Sequence, residues 1–277
     1  MGGNGQPAGH GARTAPPRGT TSAANSKNSV VQQLQALAAK SGAQADATLT
    51  ATLQNLIQKT NITNPRLDPG DTQKFFVALG LADNKPQIVD DENALEAQIN
   101  AGEQSKDYPY YIFHSDAAPD KLTGREFAGQ LMGNDTWYAS AGRLGDGTYF
   151  STSPRGSMGY MNANGLQIKG MYNNNAKVIS AVDLTKKIQA WVRSHPQAAA
   201  FIYSLKGSKG DSWGKSGKMG IFATLFGYNV VTDGYGDKTD DHYSACFDRS
   251  VMTLVKKTIG QQKGRRAYWK YQNPGEL

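Results

Sequence analysis

Two spacings of apolar residues divide the chain. From Ser29 to Ala39 and from Ala47 to Lys59 they recur every three to four positions, with Leu49, Leu53, Leu56 and Ile57 on one side of the second run, a pattern that predicts amphipathic helices. Asp71 or Thr72 can cap a third helix that ends at Gly80, and Asp91–Ile99 predicts a fourth. From Tyr108 onward the pattern changes to short runs rich in β-branched and aromatic residues, so Tyr108–His114, Gly147–Ser151 and Ala176–Val182 predict strands. Asp183–Ser194 predicts a helix stopping before Pro196, with an apolar run around Phe201–Leu205 after it. Met219–Phe226 predicts a helix leading into a strand at Asn229–Val231. Strands mixed with intervening helices place the chain in the α+β class, and no internal repeat is visible.

Composition adds the ends. At 277 residues the chain exceeds the usual size of one domain, which predicts a domain plus accessory segments. Residues 1–28 are mostly Gly, Pro, Ala, Asn, Ser and Thr with Arg13, Arg18 and Lys27 and no acidic residue. Such a segment buries too little apolar surface to order itself, so it reads as a disordered basic tail. The net charge of +7 sits at the termini: residues 1–28 contribute +3 and residues 256–277 contribute +5, leaving the middle near −1. The organisation expected is a tail over 1–28, a helical accessory region over 29–104, a main domain over 105–257 and a basic aromatic tail over 258–277. In that last tail Lys263-Gly-Arg-Arg-Ala-Tyr-Trp-Lys-Tyr271 alternates cations with aromatics, as surfaces do that grip phosphate and stack bases. Solubilising basic ends are the plainer reading of the same residues.

The candidate chemistry lies in two motifs. Gly145-Asp-Gly-Thr-Tyr-Phe-Ser-Thr-Ser153 is followed by Tyr160, eleven residues after Tyr149, and Phe113-His114-Ser115 places its histidine 35 residues before Tyr149. A polar turn with Pro154, Gly156 and Ser157 separates the tyrosines, so the chain can fold back and face two phenol rings across a flat heteroaromatic ring. Each stacking face contributes roughly 0.5–1.5 kcal/mol beyond burial. The Ser157 hydroxyl and the backbone at His114 and Ser115 can bond a carboxamide.

These motifs resemble the first two core motifs of the ADP-ribosyltransferase superfamily, in the histidine-tyrosine-glutamate branch of diphtheria toxin and the poly-ADP-ribose polymerases. The resemblance covers about residues 105 to 257. It implies a split β-sandwich with NAD, as substrate, in a cleft. His114 would bond the adenosine-side ribose, Tyr149 and Tyr160 would stack on nicotinamide, and Ser157 with Ser115 would hold the carboxamide. Ser115 stands where that branch has glycine. Ser151-Thr152-Ser153 is also similar to the Ser-Thr-Ser strand of the arginine-serine-glutamate branch, which makes Ser151 a candidate NAD contact. Leu225-Phe-Gly-Tyr-Asn-Val-Val231 followed by His242-Tyr-Ser-Ala-Cys-Phe-Asp-Arg-Ser-Val251 resembles the third motif, a loop and a final strand, as found in transferase-like proteins of bacteriophages. No glutamate lies between Glu126 and Glu276. The usual glutamate position falls near Tyr243, and Asp240 or Asp241 could reach in from the loop. The activity implied is NAD-dependent mono-ADP-ribosyl transfer to a protein or nucleic-acid acceptor, or NAD hydrolysis. The alternative is a non-catalytic binding protein of the same fold, such as a component of a phage particle. The setting implied is the bacterial host cytoplasm.

Other chemistries fit less well. Histidine occurs only at positions 10, 114, 195 and 242, and Cys246 is the one cysteine, so no metal-ligand spacing exists and no internal disulfide can form. Cys246 reads as a buried structural thiol. Gly207–Ser216 has glycine and lysine after an apolar run, but three or six residues separate the glycines where a phosphate loop requires four. Ser151, Ser153 or Ser157 with His114 lacks a nucleophile elbow and an orienting acid. The N-terminus lacks the apolar core of a signal peptide, and no run approaches the roughly 20 apolar residues of a membrane span, so no membrane partner is expected.

Overall fold

Nine strands, β1 (Gln87–Val89), β2 (Tyr111–Ser115), β3 (Thr148–Ser151), β4 (Leu166–Tyr172), β5 (Val178–Ser180), β6 (Val230–Thr232), β7 (Tyr243–Cys246), β8 (Met252–Val255) and β9 (Gly260–Gln261), hydrogen-bond in the order β1-β8-β4-β2-β3-β7-β6-β5, with β9 added to β4. They belong to a computed structural model that describes residues 21–62, 70–115, 142–158, 166–207, 214–233, 242–256 and 260–261. Pairs β1/β8 and β5/β6 are parallel and the others antiparallel. With the helices below, the class is mixed α+β.

The sheet has one thin joint. β2 pairs with β4 through five residues and β3 with β7 through four, whereas β2 and β3 share a single registered pair, Phe113 opposite Ser151. This seam divides the path into β1-β8-β4-β2 and β3-β7-β6-β5. In a flat sheet β4 and β7 would stand three strand spacings apart, roughly 14 Å. Instead the Tyr172 hydroxyl on β4 lies 2.8 Å from the Ser244 hydroxyl on β7. The Tyr172 ring meets Phe150 of β3 edge-on at 6.0 Å. The sheet therefore bends at the seam until its halves face each other. Ile112, Ile168, Tyr172, Met252 and Leu254 from one half join Phe150, Val230 and Cys246 from the other in one buried cluster. The alternation of β4 explains its part, since Ile168, Gly170 and Tyr172 share one face and Gln167, Lys169 and Met171 the other. A side chain at position 170 would lie 2.3 Å from the Thr253 carbonyl oxygen, so glycine there lets β8 approach.

Helices cover the outer faces. α4 (Glu92–Asn100) starts at Asp91, whose carboxylate accepts from Ala94 N, and buries Leu95 against Val89, Met171 and Val255. On the other side α1 (Thr21–Ala38), α2 (Ala43–Lys59) and α3 (Asp71–Ala78) share one core with α6 (Ala181–Ser194), α7 (Pro196–Ser204) and α8 (Met219–Leu225), over Ile179, Val231 and Ala245 of the sheet. The short α5 (Pro154–Met158) follows β3. α7 is capped from a distance: Asp46 of α2, buried, accepts from Gln197 N and Ala198 N, each at 2.9 Å. None of the described helices is long and apolar enough to cross a membrane.

Several expectations are corrected. β4, at the centre of its half, carries no strand signal strong enough to be read beforehand, because Gln167, Lys169 and Gly170 interrupt its apolar residues. β1 lies inside the stretch expected to be helical. Its three residues pair with β8, a long-range contact without a local signature. The final strand read within His242–Val251 stops at Cys246: Asp248 accepts from Ser250 N and starts a 3₁₀ turn over Arg249–Val251, which carries the chain from β7 in one half to β8 in the other, beyond that segment. The predicted Ala176–Val182 strand stops at Ser180, whose hydroxyl accepts from Asp183 N and starts α6. The run around Phe201 belongs to α7, and α1 extends back to Thr21, within the segment assigned by composition to the tail.

Candidate functional site

The strands that carry the three motifs lie side by side as β2-β3-β7. Tyr243 stands opposite Ser151, and Tyr149 opposite Ala245. Because an extended strand alternates its faces, the neighbours His114 and Ser115 point to opposite sides of β2. His114 faces the interior between the two halves, with its ring 5.5 Å from that of Phe150. Ser115 faces outward, toward α5.

The outward face holds a buried polar cluster. Ser153 accepts from Gly156 N at 2.9 Å and Pro154 opens the turn, an arrangement suited to a helix start, so α5 begins directly after β3 and presents Ser157. The Ser157 hydroxyl lies 2.9 Å from that of Ser115, and its bond to the Pro154 carbonyl is 3.0 Å. Gln167, at the start of β4, sends its amide nitrogen to Ser157 Oγ at 2.8 Å, Pro154 O at 2.8 Å and Ser115 Oγ at 3.2 Å. All three side chains are buried. From the other side the Tyr243 hydroxyl donates to Gly156 O at 3.3 Å. Ser151, also buried, accepts from Ser153 N at 3.2 Å. The arrangement can fix a small planar group bearing an amide, through hydroxyls held by short β–α connections.

His114 and Tyr149 meet through the seam. His114 Nδ1 lies 2.6 Å from the Tyr149 carbonyl oxygen. A carbonyl only accepts, so Nδ1 carries the proton and the neutral ring is the Nδ1–H tautomer. Where the β2–β3 ladder thins, an imidazole supplies a bond to the strand. Burial lowers the His114 pKa from its ordinary value, and the bond to Tyr149 opposes part of that shift. The Tyr149 phenol oxygen accepts from Leu144 N at 2.8 Å and donates to Gly145 O at 2.7 Å. Its ring lies directly on Gly142, where an added side-chain carbon would come within 2.3 Å. The ring faces the helical side and packs against the larger core.

The structure thus brings Ser115, Ser151, Ser157 and Tyr243 to one face around α5, and puts His114 on the other side of β2. Tyr149 meets His114 through its backbone carbonyl, while its ring is anchored on the 142–145 loop. Tyr160, Asp240 and Asp241 lie outside the described residues, as do the basic segment from Lys263 to Tyr271 and most of the phosphate-loop-like stretch. Cys246 is buried, its Sγ donates to Asp248 O at 3.1 Å, and burial pushes its pKa up, which suits a structural thiol and not a nucleophile. Gln167 was missed by sequence reasoning. Its only signal is an amide residue beside Ile168, in a run that Lys169 and Gly170 also interrupt, and its link to Ser115 depends on the β2–β4 register. Comparison of the chain with family models, with curated proteins and with solved structures gives no match.

Proposed function

We propose that the protein is an NAD-dependent mono-ADP-ribosyltransferase or NAD glycohydrolase, with an ADP-ribosyltransferase-like split sandwich formed by the two facing half-sheets. One observation carries the reading. Ser115, at the end of β2, and Ser157, on α5 directly after β3, are 42 residues apart in sequence and meet hydroxyl to hydroxyl at 2.9 Å, which joins the two resembling motifs. Ser157 and the Ser115 position would hold the nicotinamide carboxamide, with Tyr149 and Tyr160 beside the ring. His114, on the other face of β2, would contact a more distant part of an extended dinucleotide, the adenosine-side ribose.

The reaction breaks the bond between nicotinamide nitrogen and the ribose C1′. The electron pair leaves with nicotinamide, which becomes neutral, and positive charge develops on the ribose. A nucleophilic oxygen or nitrogen of a macromolecule, or water, donates a pair to C1′ and releases its proton to solvent. Groups that bind the charged ribose more tightly than the ground state accelerate this step. Tyr243 offers a hydroxyl but no carboxylate, so the charge-balancing role falls to Asp241, or to Asp240. The acceptor is a protein or nucleic acid, the latter engaged by the basic C-terminal segment, in the cytoplasm of a bacterial host.

A second reading has its own support: a non-catalytic binding protein, such as a phage-particle component. The Tyr149 phenol is fully engaged with Leu144 and Gly145, which suits a ring used for packing. Incubation with NAD separates the readings. Release of nicotinamide by the wild type, lost in His114→Ala and Ser157→Ala and reduced about 10²-fold in Asp241→Asn, supports the enzyme. NAD binding without release supports the binding protein, and neither binding nor release overturns the NAD reading.

A further inference from the structure

Gln167 ends in a primary carboxamide, the same group that nicotinamide carries. Its partners are those assigned above to the ligand. The proton balance of the cluster follows from one acceptor. Pro154 O cannot donate, so both groups bonded to it must: Ser157 Oγ at 3.0 Å and Gln167 Nε2 at 2.8 Å. The single Ser157 proton is therefore committed to Pro154, and Ser115 donates to Ser157 Oγ at 2.9 Å. The second Gln167 N–H also reaches Ser157 Oγ, at 2.8 Å. A hydroxyl has one proton and two lone pairs. In this arrangement Ser157 has used all three, and a ligand carboxamide can bond it only by displacing a group already there.

We infer that Gln167 is an internal carboxamide that holds the nicotinamide subsite closed and must swing away before a ligand carboxamide enters. The inference rests on the NAD reading. Gln167 is the group that can yield: the Pro154 carbonyl is part of the α5 backbone and the Ser115 hydroxyl stands one carbon from the β2 backbone, whereas the glutamine amide stands at the end of a longer side chain near the start of β4. Its docking costs the ligand affinity in proportion to the small fraction of molecules in which it is undocked. Two net amide hydrogen bonds of ordinary strength make that penalty at least about fivefold.

The test titrates nicotinamide, and separately ADP-ribose, into the full-length wild type, Gln167→Ala and Gln167→Met. Methionine keeps the length of glutamine without the amide. Nicotinamide should bind both variants at least about fivefold more tightly, while ADP-ribose, which has no carboxamide, binds all three proteins alike. A second measurement needs no variant: the side-chain amide resonances of Gln167 in the ¹⁵N-labelled wild type should shift on saturation with nicotinamide. Equal or weaker nicotinamide binding by the variants, or an amide signal unmoved at saturation, overturns the inference and leaves the NAD reading in place. If no form binds nicotinamide or ADP-ribose, the NAD reading fails and the inference falls with it.

Discussion

Replacing Tyr149 by phenylalanine removes one oxygen and tests what that residue is for. The oxygen accepts from Leu144 N at 2.8 Å and donates to Gly145 O at 2.7 Å, and both residues are buried. The loop it ties is also held by the bond from Gly145 N to Gly142 O at 3.0 Å, with Gly145 at φ 110°, a conformation that favours glycine. Phenylalanine leaves an N–H and a C=O without their partner. An unsatisfied buried group costs about 1–3 kcal/mol, and because Tyr149 is only partly buried, water relieves some of it. The expected loss is about 2–3 kcal/mol, or about 3–5 °C in Tm for a chain of this size. Tyr149→Ala also removes the ring and should lose about 2 kcal/mol more. Urea denaturation measures both. The two variants separate packing from binding, since a stacking face survives in phenylalanine and not in alanine. NAD affinity retained in Tyr149→Phe and lost in folded Tyr149→Ala is the expected result. A Tyr149→Phe protein within about 0.5 kcal/mol of wild type, inside the range of ordinary surface changes, would refute the anchoring of the loop. Undiminished NAD affinity in Tyr149→Ala would refute the ring's contact with the ligand.

Two further outcomes follow from buried polar groups. The lowered pKa of His114 means that on acidification the unfolded chain takes up its proton first, so this residue's contribution is complete above about pH 6.5 and declines as pH falls from there through the folded-state value. Urea melts between pH 8 and pH 5 should show that decline in wild type and a flatter profile in His114→Asn, whose amide can still donate to Tyr149 O. Parallel profiles would remove His114 as the cause. Asp46→Ala should cost about 2 kcal/mol, because Gln197 N and Ala198 N both lose their acceptor. A loss under about 0.5 kcal/mol in the same assay would mean that α7 does not depend on α2 for its cap.

What could be read from the chain was local. Leu49, Leu53 and Ile57 form a helical stripe, and all three are buried in the larger core. Tyr111–Ser115 and Thr148–Ser151 are strands because aromatic and β-branched residues cluster there. The failures share a different cause. β1 exists through its pairing with β8. The outward residues of β4 look polar until α4 is in place: Lys169 reaches Glu92 at 2.5 Å and sits 4.0 Å over the Tyr111 ring. The break between β7 and β8 rests on Asp248, a turn former inside an apolar run. The site divides the same way. Ser115, Ser157 and Tyr243 could be selected by residue type and spacing, but which face of β2 each group occupies needed the register, and Gln167 needed it entirely.

The position of the seam gives those residues a common physical setting. Inside a continuous sheet, backbone groups of both neighbours are consumed by the ladder. At β2–β3 only Phe113 and Ser151 are in register, so beyond that pair side chains take over: the His114 imidazole on the Tyr149 carbonyl, and Ser115 on Ser157. Such side-chain bonds can exchange partners without unzipping a ladder, which is what a binding site requires. Ser115 is also the last residue of β2. A compact ligand could touch only one of the opposed faces that His114 and Ser115 present. An extended one could engage both, and a dinucleotide with its two ribose groups and pyrophosphate has that shape. Single and double substitution of His114 and Ser157 therefore distinguish the cases: losses in NAD affinity in both single variants that add in the double, each residue acting on its own part of the molecule, belong to a ligand that reaches both faces of β2, whereas one single variant that binds as wild type, with a double no worse than the other single, belongs to a ligand confined to one face.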